Sequence, residues 1–465
     1  MTRKLLLYII YLLPWLACID AYPQATVGGQ FVDSVFCRTD KSQSYALYLP
    51  AGYNSSGPLP LILIFDPAAR GKLAVEGFRD AADKYGFILA CSNNSRNGPM
   101  ADNFKAASAL LDDIGKRYSI DSHKIIAAGF SGGARFAMAL ATGGSSITGV
   151  IACGAGLPND RNYYPTIKSS FLFYGIAGTR DMNLPEIQGI EGYLSGYQGI
   201  TVFVRFFEGS HEWPPKELLT EAVNWIVMKS SWTGGKVSRT EASKTMMAGM
   251  KNLINSEMAS GDLLDAVMHM RFAERDFSET TFATDMGRLR TETEKSAAFK
   301  ESVNRFSKLA NEEQAKKDLY IRAVTIISYY SVKGDTMPGW LKKEILGLKL
   351  TRDKGKAANS QLASRLLNYL SILCSEQGSQ SFREKLYPLS AQMFEFCMLS
   401  DSENPKNYFN YARSLAAWGK TGETLDALSA AISHGLTSRK TVESESVFSR
   451  FRDNSRYREL LSKLK

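Results

Sequence analysis

Two hydrophobic patterns divide the chain. From Thr26 to about Ser231, short apolar runs alternate with amphipathic stretches, the order of strands and helices in an α/β domain. Leu59–Phe65, Phe87–Ser92, Ile125–Phe130 and Gly149–Cys153 are almost continuously apolar, as strands buried on both faces must be. Gly29–Cys37, Tyr45–Leu49, Phe171–Tyr174 and Thr201–Phe206 complete a set of eight predicted strands. Helices fit between them at Leu73–Tyr85, Asp102–Tyr118, Gly132–Ala141, Pro185–Leu194 and Pro215–Val227. The Ser- and Gly-rich stretch from Ser230 to Gly235 then marks a boundary. Beyond it the pattern has the helical period only, in segments such as Ala242–Met258, Arg288–Leu309 and Gln361–Cys374.

The fifth predicted strand runs into Gly129-Phe130-Ser131-Gly132-Gly133 and then an Ala-rich helix. A G-x-S-x-G between strand and helix holds its serine on a tight, strained turn, exposed at the C-terminal end of the strand. Gly129 and Gly133 relieve the crowding there, and the Gly132 amide is placed to meet a developing oxyanion. Eight strands with such a turn after the fifth predict an α/β-hydrolase sheet, followed by an all-α region. Ser131 is the candidate nucleophile.

A serine hydroxyl needs a base to take its proton during attack. The chain has four histidines. His123 precedes the nucleophile strand, and His269 and His434 belong to the helical half. His211 follows the last strand run, Val202–Phe206, and so falls on a loop at the same sheet edge as Ser131. The order Ser, acid, His then points to the loop after Phe171–Gly175, where Asp181 can orient the imidazole. Asp160, after the sixth strand, is the alternative acid.

At 465 residues the chain exceeds one ordinary core. Its formal charge is +9, but the basic residues are interspersed with acids along the helical half, which reads as solvated helix faces and gives no nucleic-acid footprint. Residues 1–21 combine a charged start with an apolar run, Leu5–Ala17, the make-up of an export signal. Cleavage after Ala21 gives a secreted or periplasmic protein; a lipid anchor on Cys18 is the alternative and the only membrane attachment expected. No Cys-x-x-Cys, His-Glu-x-x-His, P-loop or dinucleotide fingerprint occurs, so neither metal nor cofactor is expected.

Near the C-terminus, Asn404-Pro405 leads into Ala412, Leu415, Leu428 and Ala431, with Gly419 and Gly422 between, the spacing of a tetratricopeptide helix pair. Phe394 and Cys397 lie one period of about 34 residues earlier. The expected organisation is a leader at 1–21, a catalytic domain at 26–231, a helical region at 236–369 and a tetratricopeptide-like region at 370–465. A stack of such repeats would offer a face for a protein partner or a polymer.

Phe65-Asp66-Pro67-Ala68-Ala69-Arg70-Gly71, Ser92-Asn93-Asn94-Ser95-Arg96-Asn97-Gly98, the serine motif with Ala134-Arg135, Gly178-Thr179-Arg180-Asp181 and Gly209-Ser210-His211-Glu212-Trp213-Pro214 together resemble the secreted esterase and polyhydroxybutyrate-depolymerase-like branch of the α/β-hydrolases. The resemblance spans about 60–215 and implies Ser131 as nucleophile, Asp181 as orienting acid and His211 as base. Many relatives carry His-Gly where this chain has Asp66-Pro67. Proline has no N–H, so the second oxyanion donor expected beside Gly132 is Ala68, or else Ala69. Asn93, Asn94, Arg96, Asn97 and Trp213 are candidate substrate contacts at the same edge. Gly156–Ser170 is too short for a large lid, which predicts a site that is open or covered by the helical half, and an ester-bearing small molecule or polymer as substrate. A peptidase of the same fold and a non-catalytic helical-repeat binding protein are the competing readings.

Overall fold

The computed structural model describes residues 27–54, 57–144, 146–232, 235–330, 336–355 and 357–465; the expected leader, with Cys18, lies outside them. Eight strands form one sheet in the order β1-β2-β4-β3-β5-β6-β7-β8. They are β1 (Phe31–Phe36), β2 (Ser44–Tyr48), β3 (Leu59–Phe65), β4 (Ile88–Ser92), β5 (Ile120–Phe130), β6 (Ile147–Cys153), β7 (Phe171–Gly178) and β8 (Ile200–Phe207). β2 runs antiparallel to both β1 and β4, and every other pairing is parallel. This is the α/β-hydrolase arrangement expected from the sequence.

The crossovers are α1 (Gly71–Tyr85), α2 (Met100–Arg117), α3 (Gly132–Thr142), α4 (Leu184–Leu194) and α5 (Lys216–Lys229). α1 and α5 pack together on one face of the sheet, while α2, α3 and α4 cover the other. With both faces covered, the central strands bury nearly every side chain, which is why they read as unbroken apolar runs. Trp225 of α5 is fully buried against the stacked rings of Tyr174 and Phe203.

The helical half comprises α6 (Arg239–Ser260), α7 (Leu263–Asp276), α8 (Thr281–Lys295), α9 (Ala297–Tyr330), α10 (Thr336–Lys354), α11 (Ala357–Arg383), α12 (Tyr387–Ser400), α13 (Pro405–Trp418), α14 (Thr421–Ser433), α15 (Arg439–Glu443) and α16 (Ser455–Ser462). The expected helix at 288–309 is two helices. Ser296 takes an extended backbone and its Oγ accepts the Phe299 N–H, capping α9. The boundary expected at 369/370 falls within α11. Buried residues form three cores: α6 to α8 share the core of the sheet, α9 to α12 make a second, and α13 to α16 a third.

β8 is the last strand of the sheet, and a bare edge would leave its carbonyls unpaired. α7 covers it: His269 Nε2 donates to the Val204 carbonyl at 3.0 Å and Arg275 Nη1 to the Val202 carbonyl at 2.7 Å. Trp225 Nε1 donates to Asp276 at 2.8 Å across the same junction. The first helices of the second half therefore complete the sheet.

Asp265, also on α7, has its carboxyl pushed up from 3.8 to about 6, chiefly by burial and against the attraction of His269. A carboxyl raised in the folded state favours folding fully below its unfolded value and loses that advantage as pH rises through its folded one, here between about 4 and 6. Asp265→Asn is therefore expected to raise the thermal unfolding midpoint at neutral pH and leave it almost unchanged near pH 4. Circular-dichroism melts at the two pH values check this; equal shifts at both would contradict it.

Candidate active site

β5 delivers Ser131 in the left-handed region, with φ 53° and ψ −121°. A serine held there costs about 1–3 kcal/mol, so the surroundings must fix it. Its N–H donates to the Cys153 carbonyl at 2.8 Å, while its own carbonyl accepts from Ala134 and Arg135 in the first turn of α3. A Cβ at Gly129 would strike the Gly133 carbonyl, and one at Gly133 would strike the Phe65 carbonyl. Both glycines are thus required by the closeness of α3 to β3 and β5.

The loops after β7 and β8 bring Asp181 and His211 to this point. His211 Nε2 lies 2.9 Å from Ser131 Oγ, and its Nδ1 lies 2.9 Å from Asp181 Oδ1. An ionised carboxylate can only accept, so the proton of the neutral ring sits on Nδ1 and Nε2 is left to accept from the serine. Asp181 is buried, and Oδ1 also takes the Asn183 N–H at 2.8 Å. Its Oδ2 is buried with no partner among the described residues. Phe130 lies against the imidazole, ring centroids 4.6 Å apart. Asp160 does not reach His211. It caps the 3-10 turn Arg161–Tyr163 by accepting from Asn162 N–H.

The Ala68 expectation meets a different arrangement. The Ala68 N–H donates to Asp66 Oδ1 at 2.8 Å and the Ala69 N–H to the Asp66 carbonyl at 3.0 Å. Ala69 itself sits at φ 57°. Asp66 is fully buried and also accepts from Arg70 Nε and Nη2 and from Trp213 Nε1. Burial works against its charge, but these donors outweigh it and hold the carboxyl below its ordinary value. The Gly132 N–H, by contrast, has no acceptor among the described residues.

The candidate contact residues separate into two groups. Asn93 donates to the Asp33 carbonyl, and Asn94 both accepts from Ser44 N–H and donates to the Ser42 carbonyl. They fasten the loop after β4 to β1 and β2, away from the serine. Trp213 packs between Phe78 and Phe130 with its N–H on Asp66, a structural position. Arg96 and Asn97 do line the cavity beside Ser131 and His211, which has a volume of about 670 Å³. The Asn97 side chain lies directly against Gly132, with Oδ1 the nearest atom and Nδ2 farther off.

Sequence reasoning missed three supports of this cavity. Buried Asn103 accepts from Ser95 Oγ and Arg96 N–H and donates to the Arg96 carbonyl, fixing the loop. Arg135 and Glu186 form a two-pronged ion pair, and Glu186 also takes the N–H groups of Gly156 and Leu157 after β6. The third is α11, which contributes Tyr369, Ile372, Leu373 and Glu376 to the wall. Only the first has a local signal, an Asn just inside a helix that follows a polar loop.

No protein-family model matches this sequence, and no functionally curated protein is significantly similar to it. Among solved structures, the chain resembles the Staphylococcus aureus fluorophosphonate-binding serine hydrolase FphF (12% identity, 40% of this chain and 92% of that one, TM-score 0.32). It also resembles an S-formylglutathione hydrolase from Agrobacterium tumefaciens (16% identity, 43% and 94%, TM-score 0.33) and a ferulic acid esterase (16% identity, 42% and 97%, TM-score 0.36). Likeness at this level carries no argument about substrate, and the chemistry has to be read from the side chains.

Proposed function

We propose that this chain is an exported serine hydrolase that cleaves carboxylic esters through an acyl-enzyme on Ser131. The observation that carries the reading is the hydrogen-bonded chain Ser131–His211–Asp181, with both links at 2.9 Å and the acid buried. His211 Nε2 takes the Oγ proton as the oxygen attacks the ester carbonyl carbon. Asp181 holds the ring and stabilises the imidazolium. As the tetrahedral intermediate collapses, the C–O bond to the alcohol breaks and His211 returns the proton to the leaving oxygen. Water, activated by the same imidazole, then hydrolyses the acyl-enzyme and restores Ser131.

The oxyanion takes the Gly132 N–H. With the Ala68 amide committed to Asp66, the second donor in this reading is Asn97 Nδ2. The side chain lines the same cavity with Oδ1 as the atom nearer Gly132, and donation requires Nδ2 to turn toward the oxyanion. A side-chain donor of this kind is worth about 10²–10³ in kcat.

A fluorophosphonate probe is expected to label Ser131, identified by peptide mass, while Ser131→Ala takes no label and loses at least about 10⁴-fold in p-nitrophenyl acetate hydrolysis. A folded wild-type protein that stays unlabelled would remove the proposal. Asn97→Ala is expected to lower kcat by about 10²-fold with a much smaller change in KM, read from steady-state kinetics on the same ester. For the export part of the reading, mass spectrometry of the mature protein should show a start after Ala21, or an acylated Cys18.

A further inference from the structure

The segment carrying Asp181 is held from outside its own domain. Arg365 Nη1 donates to the Thr179 carbonyl at 3.0 Å, and Asn368 Nδ2 to the Arg180 carbonyl at 3.1 Å, both from α11. Lys317 Nζ of α9 donates to the Met182 carbonyl at 2.8 Å. The carbonyls on both sides of the acid are thus fixed by the helical half. Arg365 and Lys317 are in turn oriented by one buried carboxylate, Glu313, each at 2.8 Å.

The α11 residues that touch the loop and those that wall the cavity lie on one stripe. Positions 365, 368, 369, 372, 373 and 376 recur at intervals of three and four, one face of a helix. The first turn of the stripe grips the acid loop, and the following turns bring Tyr369, Ile372 and Leu373, with Glu376 beyond them, to the cavity that Ser131 and His211 also line. Ile372 is 42% exposed, an apolar side chain left facing that space. Away from α11 the lining is mostly polar, with Arg96, Asn97 and Asn159 in it, although Met100, Phe136 and Met182 also reach the cavity. Arg96 is exposed, and its Nε donates to the Asn94 carbonyl at 3.4 Å, which leaves the other guanidinium N–H groups to water or a ligand.

We infer that α11 is part of the active site. Arg365 and Asn368 are positioning residues for Asp181, and Tyr369, Ile372 and Leu373 form the surface on which the apolar portion of the substrate packs. The inference rests on the serine-hydrolase reading and narrows its substrate class. The cavity takes esters of moderate size with an apolar acyl or aryl part on the α11 side and a hydroxyl-bearing or anionic part toward Arg96 and Asn97. The physical reason is a mismatch of walls: a wholly polar substrate would leave Ile372 and Leu373 against water-seeking groups, and a wholly apolar one would strip water from Arg96.

The test uses the full chain with p-nitrophenyl acetate and p-nitrophenyl hexanoate. Ile372→Arg is expected to shift the hexanoate-to-acetate ratio of kcat/KM toward acetate by about tenfold or more. Asn368→Ala is expected to lower kcat on both esters several-fold with little change in KM, and to slow fluorophosphonate labelling of Ser131 in proportion, in a protein that melts within a few degrees of wild type. An unchanged chain-length ratio in Ile372→Arg together with wild-type kcat in Asn368→Ala, in a protein whose Ser131 still labels, overturns the role of α11 and leaves the hydrolase reading standing. A wild-type protein that neither labels nor turns over either ester overturns both.

Discussion

The close approach of α3 to β3 and β5 is the constraint on which this site depends. A serine at φ 53° is strained by itself and keeps that geometry because its N–H is bound to β6 and its carbonyl starts the helix. Only glycine at 129 and 133 permits the helix to come that near. Because β5, β6, β7 and β8 are parallel and in register, their C-terminal ends lie along one edge. The loops that follow can then place an acid and an imidazole beside the serine although 80 residues separate Ser131 from His211. The sheet converts distance along the chain into hydrogen-bond distance, and local strain at one residue sets the point where the three meet.

Asp66 shows how charge is managed in the turn after β3. A carboxylate near a developing oxyanion would oppose it, yet this one is buried and stays ionised. It does so by collecting the guanidinium of Arg70, the indole N–H of Trp213 and the backbone N–H of Ala68. The arrangement neutralises the charge locally and fixes the turn after β3, but it consumes the amide that would otherwise serve the substrate. An oxyanion site with one backbone donor is incomplete by on the order of 3 kcal/mol, which gives a side-chain donor such as Asn97 its importance in the proposed mechanism.

Much of this was legible in the sequence, for a specific reason. Parallel strands buried on both faces leave unbroken apolar runs, so the ends of β5, β7 and β8 could be placed to within a few residues, and the residues just past those ends were the ones the structure brings together. What could not be read was the direction of side chains within polar loops. Asn93, Asn94, Arg96 and Asn97 are all polar residues of one loop, yet the first two turn toward β1 and β2 and the last two toward the cavity. Ala68 was misjudged because its partner is a side chain two residues away whose rotamer leaves no trace in hydrophobic patterning. Ser296 did carry a signal, as a cap between two helices, which the surrounding helical periodicity concealed.

The contacts of α11 argue that the two halves of the chain work as one unit. A buried carboxylate such as Glu313 gains little net stability from its ion pairs, because desolvating three charges offsets most of their attraction. Apolar residues could fill that space at least as well. They could not direct a guanidinium and an ammonium onto carbonyls flanking Asp181. Asp181 Oδ2 has no partner among the described residues, so the carboxylate is met only at Oδ1, by His211 and the Asn183 N–H. A loop bearing a buried, incompletely solvated carboxylate would relax toward water if it were free to move. Holding its backbone from the helical side prevents that relaxation, and the helix that does the holding then has one face already turned toward the cavity.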